Sequence, residues 1–240
     1  MGTISSQTVN WAHENQWRHW YKDEVTSTNT IAKDEFNVIE EFKLYIANTQ
    51  SLGRGRGENK WENTKEKNSL LSSWAYKINF TPQHFLPALI GLAVFKSCQN
   101  VWKGLSWSIK APNDIFIEDK KVAGLLTEVV QQGDDALVII GLGFNVFSAP
   151  ENMDRASFLV NFLGEKKSFS EEQWLEFLSE LKKNFDEAIK NCEQLKINEK
   201  DRELLLESLN TNPWKKEVYL EVTDQGDLIT ETETKSWRDL

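Results

Sequence analysis

Hydrophobic and polar residues along the chain repeat with a period of two in some stretches and of three to four in others, which predicts a mixture of strands and helices. Six strands are predicted before the C-terminal tail: FKLYIAN (42–48), NSLLSSWAYKINF (68–80), SWSIK (106–110), IFIE (115–118), KVAGLLTEVV (121–130) and ALVIIGLGFNVF (136–147). The strand at 136–147 is expected to run into a glycine-rich turn formed by GLGFN (141–145).

Three stretches have helical periodicity. STNTIAKDEF (27–36) begins with capping hydroxyls, and the mostly apolar stretch 81–102 has a proline near its start. From Ser170 onward, a capping box with Gln173 precedes one apolar stripe. These patterns predict three helices that pack on the strands.

The C-terminal part of the chain has a different pattern. The charged run NEKDRE (198–203) is interpreted as a break, and the tail 215–237 alternates around a Gln-Gly-Asp turn as two strands would. The order of elements predicts an α+β fold with a mixed β-sheet flanked by helices. We expect a catalytic domain over residues 1–200 and a small C-terminal β-module over residues 201–240.

Composition narrows the class of protein. The chain has 240 residues, of which 40% are hydrophobic, so it can bury a proper core. Lys and Arg number 28 and Asp and Glu 37, and the net charge of −9 argues against a surface built to neutralise nucleic-acid phosphates. About 25 residues precede the STN sequence at 27–29 without a helix-turn-helix pattern, so we expect no DNA-binding domain there.

Cysteine content and hydropathy bear on the compartment. Cys98 and Cys192 lack the spacing of a metal or redox motif and are too few for a disulfide framework, which favours a reducing compartment. No uninterrupted apolar run is long enough for a membrane span, and the N-terminus lacks the pattern of a secretion signal. We therefore expect a cytoplasmic protein without a membrane partner.

One cationic stretch stands out in this acidic chain: SLGRGRGENKW at 51–61, named here the Gly-Arg loop. It fits neither the P-loop pattern nor the dinucleotide-binding pattern, because Glu58 stands where a P-loop has lysine and the glycines alternate too closely. Glycine lets backbone N–H groups approach a ligand, Arg54 and Arg56 can bind carboxylate or phosphate oxygens, and Lys60 adds a charge. The residues predict a local anion site, with a solvated surface turn as the alternative.

Polar residues at the ends of predicted strands point to the same kind of ligand. Taken singly, each is more often a capping or solvated residue, but as a set around one sheet they suit chemistry on an acyl phosphate. They are Lys110, Asn113, Asp114, Lys121 and Asn145.

Four sequences occur in a fixed order along the chain: STN (27–29), QSLGRGRGENKW (50–61), KAPNDIFIEDKKVAGLL (110–126) and GLGFNV (141–146). With them the chain resembles, over roughly residues 20–148, the catalytic domain of the biotin protein ligases, the biotin–[acetyl-CoA-carboxylase] ligases. The resemblance implies a two-step reaction. Biotin and the Mg²⁺ complex of ATP give biotinyl-5′-AMP and pyrophosphate, and a lysine of a biotin carboxyl carrier domain then takes the biotinyl group. It also implies a ligase-only protein, monomeric or homodimeric.

The resemblance implies roles for single residues. Lys121 and Arg56 would offset the repulsion between biotin carboxylate and phosphate, and Asp114 would orient or deprotonate the incoming lysine. The Gly-Arg loop would close as a lid that excludes water, with Trp61 as its apolar face. No protein ligand to a metal is expected. Biotin would contact Ser27, Thr28, Asn29, Gln50, Gly53, Arg54, Arg56, Lys121 and Gly124. The nucleotide would contact Arg56, Lys60, Trp61, Lys110, Asn113, Lys121 and Asn145.

The chain departs from the family pattern at three positions. Ala111 stands where the family usually has tryptophan, and Glu58 and Asn59 stand where its loop continues with glycine and arginine. These changes bear on how tightly the adenylate is retained. The C-terminal module is also shorter than the SH3-like barrel of the family.

Two other functions stay open. The first is a lipoate or octanoate ligase or transferase, in which Cys98 would be the candidate nucleophile, although its apolar helix favours a buried structural cysteine. The second is a non-catalytic module that binds biotin or the carrier. Arg56 and Lys121 argue against the second.

Overall fold

A computed structural model describes residues 2–64, 68–151, 153–164 and 169–240. The helices are α1 (Ile4–Glu14), α2 (Thr28–Asp34), α3 (Leu86–Val101), α4 (Val160–Leu163), α5 (Glu171–Asn191) and α6 (Glu199–Thr211), followed by a 3₁₀ helix (Trp237–Asp239). The strands are β1 (His19–Val25), β2 (Phe42–Gln50), β3 (Ser69–Ile78), β4 (Trp107–Lys110), β5 (Asp114–Ile117), β6 (Lys120–Gln132), β7 (Asp135–Asn145), β8 (Glu221–Val222), β9 (Leu228–Ile229) and β10 (Thr234–Lys235).

The strands form one large and one small sheet. The large sheet has seven strands in the order β1-β2-β3-β7-β6-β5-β4, and the small one has the order β10-β9-β8. β1 and β2 pair in parallel, whereas β2 with β3, β3 with β7, β6 with β7 and β4 with β5 pair antiparallel. The predicted α+β fold, a mixed sheet with helices and a small C-terminal β-module, is therefore confirmed.

The chain divides into two compact units. The first contains the residues up to Thr81 and Val122–Leu178, and the second contains Pro82–Lys121 and Ser179–Leu240. The predicted boundary between residues 200 and 201 stays a prediction.

The core of the first unit lies on both faces of β7. On one face, the ring of Phe144 packs against Trp174 and Phe177, with centroids 6.2 and 5.2 Å apart. On the other face, Leu137 and Ile139 join a buried cluster with residues of α2, β2 and β3. Because a central strand is covered on both sides, its sequence is almost continuously apolar and does not alternate.

The second unit buries α3 along most of its length, including Cys98. Its C-terminal 3₁₀ helix reaches the loop between β4 and β5: Trp237 Nε1 donates a hydrogen bond to the carbonyl of Pro112 at 3.1 Å. The peptide bond between Ala111 and Pro112 is cis. The buried indole of Trp237 thus holds the segment Pro-Asn-Asp at 112–114, named here the PND segment, in place.

Two predictions of local structure were wrong. GLGFN is not a turn, because Gly141 and Gly143 lie inside β7 and pair with Leu126 and Gly124 of β6. The charged run at 198–203 is not a break but the first turn of α6, where the side chain of Asn198 caps the helix. The sequence patterns also gave no element for α1 or β1. The remaining predicted strands and helices are present, with ends shifted by a few residues.

Candidate active site

One wall of the candidate site joins the start of α2 to the end of β2. Gln50 Oε1 accepts hydrogen bonds from the backbone N–H of Thr28 at 2.7 Å and from its hydroxyl at 3.2 Å. The hydroxyl of Ser73 on β3 donates to Thr28 Oγ1 at 2.7 Å. Ser27, the residue before α2, is buried beside this wall and makes no capping hydrogen bond with its side chain.

The floor of the site is backbone without side chains. Gly124 of β6 lies opposite Gly143 of β7, and both are buried. A Cβ built on Gly143 would overlap the indole of Trp61, and one built on Gly141 would lie 2.6 Å from Asn29 Oδ1. These close approaches require glycine at both positions of β7, because any side chain would displace the groups above the sheet.

The Gly-Arg loop is a hairpin. Arg54 and Lys60 form an antiparallel bridge, and the N–H of Trp61 donates to the carbonyl of Gly53 at 3.0 Å. A Cβ on Gly53 would lie 2.8 Å from the Trp61 carbonyl, so glycine is required where the two arms meet. Gly57 at the tip has a φ of 65°, in the left-handed region. The hairpin lays Trp61 on the floor at Gly143.

Asn63 fastens the base of this hairpin. Its Oδ1 accepts from the backbone N–H of Gln50 at 3.0 Å, and its Nδ2 donates to the carbonyl of Gln50 at 2.7 Å. Gln50 therefore contacts Thr28 through its side chain and, through its backbone, holds Asn63 against the start of the Gly-Arg loop.

Arg54 and Asn29 both bind Glu128 of β6. Arg54 Nη2 donates to the two carboxylate oxygens at 2.9 and 2.7 Å, and Asn29 Nδ2 donates to Oε2 at 2.8 Å. Lys33 of α2 donates to Oε1 at 2.6 Å. Burial raises the pKa of Glu128, but the hydrogen bonds from Lys33 and Asn29 and the charges of Lys33 and Arg54 outweigh it, so the pKa lies below its ordinary value.

Asn145 lies at the end of β7 with its carboxamide held by the protein. Its Oδ1 accepts from the hydroxyl of Ser69 at 3.3 Å, and its Nδ2 donates to the carbonyl of Ser157 at 3.1 Å. The side chain is buried. Its predicted contact with a nucleotide stays a prediction.

The second unit contains the other predicted residues. Lys121 Nζ lies 2.6 Å from Asp114 Oδ1, an ion pair between the starts of β6 and β5. Lys110 is the last residue of β4, and Asn113 belongs to the segment that joins β4 to β5. A cavity of about 450 Å³ opens beside this segment, and its lining includes Lys110, Ala111, Pro112, Trp214, Lys216 and Lys235.

Neither cysteine is a candidate nucleophile. Burial raises the pKa of Cys98 well above its ordinary value, and burial also raises the pKa of Cys192 to about 11, although a backbone hydrogen bond from Gln83 opposes this. Both thiols are therefore protonated at neutral pH. Cys98 is a buried structural cysteine, as its helix predicts.

The part of the chain that the structure describes contains neither a candidate metal cluster nor a membrane-spanning helix. No group of three or more His, Cys, Asp or Glu residues there could hold a metal ion. No helix among these residues is both long and apolar enough to cross a membrane.

Sequence reasoning missed three residues of the site, Asn63, Ser73 and Glu128, because their hydrogen-bond partners are distant in sequence.

The predicted residues divide between the two units. The first unit contains Ser27, Thr28, Asn29, Gln50, Gly53, Arg54, Arg56, Lys60, Trp61, Gly124 and Asn145, and the second contains Lys110, Asn113, Asp114 and Lys121.

The comparison with protein families is decisive for the class of protein. The Biotin/lipoate A/B protein ligase family matches residues 21–145, more than half of the chain. The chain belongs to this family.

Curated relatives agree with this assignment. The chain is 34% identical over 157 residues to the bifunctional ligase/repressor BirA of Bacillus subtilis, covering 61% of this chain and 47% of that protein. It is 34% identical over 137 residues to the biotin–[acetyl-CoA-carboxylase] ligase of Mycobacterium tuberculosis, covering 54% of this chain and 48% of that protein. The chain thus spans about half the length of these relatives.

Solved structures share the fold. The biotin protein ligase of Aquifex aeolicus in complex with biotin and ATP matches with a TM-score of 0.64 and 22% identity, covering 91% of this chain and 94% of that one. The biotin protein ligase of Leishmania major in complex with biotinyl-5-AMP matches with a TM-score of 0.60 and 22% identity, covering 88% and 93%.

Proposed function

We propose that the protein is an ATP-dependent biotin protein ligase. In the first step, a carboxylate oxygen of biotin attacks the α-phosphorus of ATP, and the bond to pyrophosphate breaks, which gives biotinyl-5′-AMP. In the second step, the ε-amine of a carrier lysine attacks the biotinyl carbonyl carbon, AMP leaves, and the amine loses a proton. The product is an amide on the carrier.

The observation that carries this proposal is the glycine floor at Gly124 and Gly143 beside the wall of Thr28 and Gln50. Glycine at position 143 lets the indole of Trp61 lie directly on the sheet as an apolar wall. The Gln50 amide and the hydroxyls of Thr28 and Ser73 suit a planar ureido ring that both donates and accepts hydrogen bonds. The family membership supports the same ligand class.

Adenylation brings two anions together, and the cationic residues suit that step. At about 4 Å, two like charges in a partly dry site repel by several kcal/mol. Lys121 and Arg56 would offset this repulsion and stabilise the charge that develops on the α-phosphate. Mg²⁺ enters as part of the ATP substrate complex and screens the phosphate charges.

The second step needs a dry anhydride and a deprotonated amine. Trp61 and the hairpin that carries it would exclude water from biotinyl-5′-AMP until the carrier arrives. Asp114 would orient the lysine amine or accept its proton. We propose as acceptor a biotin carboxyl carrier domain of a biotin-dependent carboxylase, in the cytoplasm, with neither DNA nor membrane as a partner.

Biotin-dependent exchange of label between pyrophosphate and ATP tests the first step. We expect exchange with biotin, and the absence of exchange at saturating MgATP would contradict the ligase function. Exchange with lipoate or octanoate alone would support the other branch of the family. The buried, protonated Cys98 argues against a thioester mechanism in that branch.

Mass spectrometry of a carrier domain tests the second step. After incubation with biotin and MgATP, the carrier should gain one biotinyl group on a lysine. A protein that binds biotin but leaves the carrier unmodified would be the non-catalytic module. Arg56→Gly should release free biotinyl-5′-AMP, detected as labelling of unrelated proteins, and a variant that labels none would remove Arg56 from adenylate retention.

A further inference from the structure

Glu128 connects three segments of the first unit. It lies in β6, and its carboxylate accepts hydrogen bonds from Asn29 and Lys33 of α2 and from Arg54 of the Gly-Arg loop, at distances of 2.6 to 2.9 Å. The Glu128 side chain is 20% exposed, whereas that of Arg54 is 43% exposed. A largely buried carboxylate therefore holds a guanidinium that would otherwise extend into solvent.

The position of Arg54 sets the position of Trp61. Arg54 bridges Lys60 across the hairpin, and its neighbour Gly53 accepts the N–H of Trp61. The indole of Trp61 covers Gly143. A short hydrogen-bonded path thus connects the carboxylate of Glu128 to the ring that closes the floor.

The same carboxylate also orients the wall of the site. Asn29 Nδ2 donates to Glu128 at 2.8 Å, and Asn29 Oδ1 is in contact with the hydroxyl of Ser73, whose oxygen lies 2.7 Å from Thr28 Oγ1. Asn29 Nδ2 further donates to the carbonyl of Leu126 at 3.3 Å. The side-chain N–H groups of Asn29 are therefore directed at the protein, which makes Asn29 part of the frame that places Thr28.

We propose that Glu128 is a positioning residue that latches the Gly-Arg loop in its closed form through Arg54. The proposal rests on the proposed function for the identity of the enclosed molecule, biotinyl-5′-AMP. It assigns Arg54 to the latch in place of the contact with biotin that the resemblance implies. Glu128 contacts no reacting atom in this scheme, and it acts through Arg54 and Asn29.

Hydrogen exchange of the free protein tests the latch without any ligand. Two amides report hairpin opening: the N–H of Gly55, bonded to the Asn59 carbonyl at 2.8 Å, and the N–H of Trp61. A charge-assisted hydrogen bond restrains them, so Glu128→Gln and Arg54→Gln should each raise their exchange about tenfold. Because both substitutions break the same contact between Glu128 and Arg54, the double variant should exchange no faster than Glu128→Gln alone.

Glu35→Gln is the matched control. The Glu35 carboxylate is also partly buried in the first unit, where it accepts hydrogen bonds from Lys43 and from the hydroxyl of Tyr45 at 2.7 Å. Its loss should leave exchange in the Gly-Arg loop unchanged. If Glu128→Gln does not fold, Arg54→Gln carries the test, because Arg54 is nearly half exposed. Loop exchange in Arg54→Gln equal to that of the wild type would overturn the latch.

A kinetic arm connects the latch to the reaction. If the proposed function holds, Glu128→Gln should release biotinyl-5′-AMP about tenfold faster while the maximal rate of adenylation changes little. A rate of adenylation reduced about tenfold, with no change in the release of biotinyl-5′-AMP, would contradict a positioning role. A protein that shows no biotin-dependent exchange of label between pyrophosphate and ATP would refute the proposed function. Amide hydrogen exchange of the free protein would still decide the latch in that case.

Discussion

Gln50 Oε1 accepts two hydrogen bonds from Thr28, one from the backbone N–H that opens α2 and one from the hydroxyl. This contact joins residues 22 positions apart in the sequence. It orients the carboxamide of Gln50 by fixing its oxygen, so that the amide nitrogen points away from Thr28. The proposed contact with the ureido ring depends on this orientation.

If the proposed function holds, Thr28→Val should weaken biotin binding. The substitution removes the hydroxyl that joins Gln50 and Ser73 but keeps the shape of the side chain, so we expect the KM for biotin to rise about three- to tenfold with a smaller change in kcat. Steady-state adenylation kinetics measure this split. Thr8→Val is the control, since the Thr8 hydroxyl is equally buried and accepts from Trp174 in the same unit. Equal KM values in both variants would contradict the role of Thr28.

Gly143→Ala should displace Trp61. The added methyl would overlap the indole, and such overpacking typically lowers the free energy of unfolding by about 1–3 kcal/mol. Trypsin should also cut faster at Arg56 and Lys60, because the hairpin is no longer seated. Gly91→Ala in α3 is the control, since no atom lies within 4 Å of the added Cβ and alanine favours a helix. A Gly143→Ala protein as stable and as resistant as the wild type would argue against the close contact.

Lys121→Met should slow adenylation by about a hundredfold or more if its charge stabilises the transition state. Biotin-dependent pyrophosphate exchange is the measurement. Lys120→Met is the matched control, because the neighbouring lysine lies 3.8 Å from Asp119 and is at least as exposed. A rate reduced equally in both variants would indicate a general effect of charge, and an unchanged rate in Lys121→Met would remove Lys121 from the mechanism.

Acid should release the contacts of Glu128. Its pKa is lowered in the folded protein by Lys33, Asn29 and Arg54, so its contribution to stability is complete above the ordinary glutamate pKa of about 4.3 and is lost as the pH falls through the folded value. Urea unfolding at a series of pH values should therefore show a smaller acid-dependent decrease for Glu128→Gln than for the wild type. Identical slopes in the two proteins would contradict the shift.

Trp237→Phe tests how the second unit holds its PND segment. The substitution removes the hydrogen bond to the Pro112 carbonyl and should cost about 1 kcal/mol while raising the KM for ATP. Trp107→Phe is the control, because Trp107 is also buried in the second unit and loses a comparable bond, from Nε1 to the Trp102 carbonyl at 3.2 Å, outside that segment. A raised KM in both variants, or in neither, would contradict the specific role of Trp237.

The large elements were predictable, because long apolar runs between polar breaks indicate the central strands and the buried helix α3. The error at Gly141 and Gly143 has a physical cause: glycine in a strand and glycine in a turn have the same local signature, and only Asn29 and Trp61, far away in sequence, decide between them. The missed helix α6 has a charged first turn, capped by Asn198, that looks like a break when read alone.

The sequence predicts which residue types form the candidate site better than it predicts which of them bond to each other. The cationic residues of the Gly-Arg loop follow from its sequence, but the partners of Glu128 lie 74 to 99 residues away, so neither local pattern nor spacing points to it. Arg54 shows the difference. Its type predicts an anion as partner, and that anion is a side chain of the protein itself.

The two faces of β7 give this strand a division of labour that protein engineering can use. Phe144 on one side contributes to packing against α5, whereas Gly143 on the other lies under Trp61. Since neighbouring positions point in opposite directions, substitutions at Gly141 or Gly143 would act on Asn29 and Trp61 while leaving the buried aromatic contacts of Phe144 in place. A directed-evolution library at these two glycines would therefore alter how the Gly-Arg loop is seated, and it would need compensating substitutions elsewhere to recover thermal robustness.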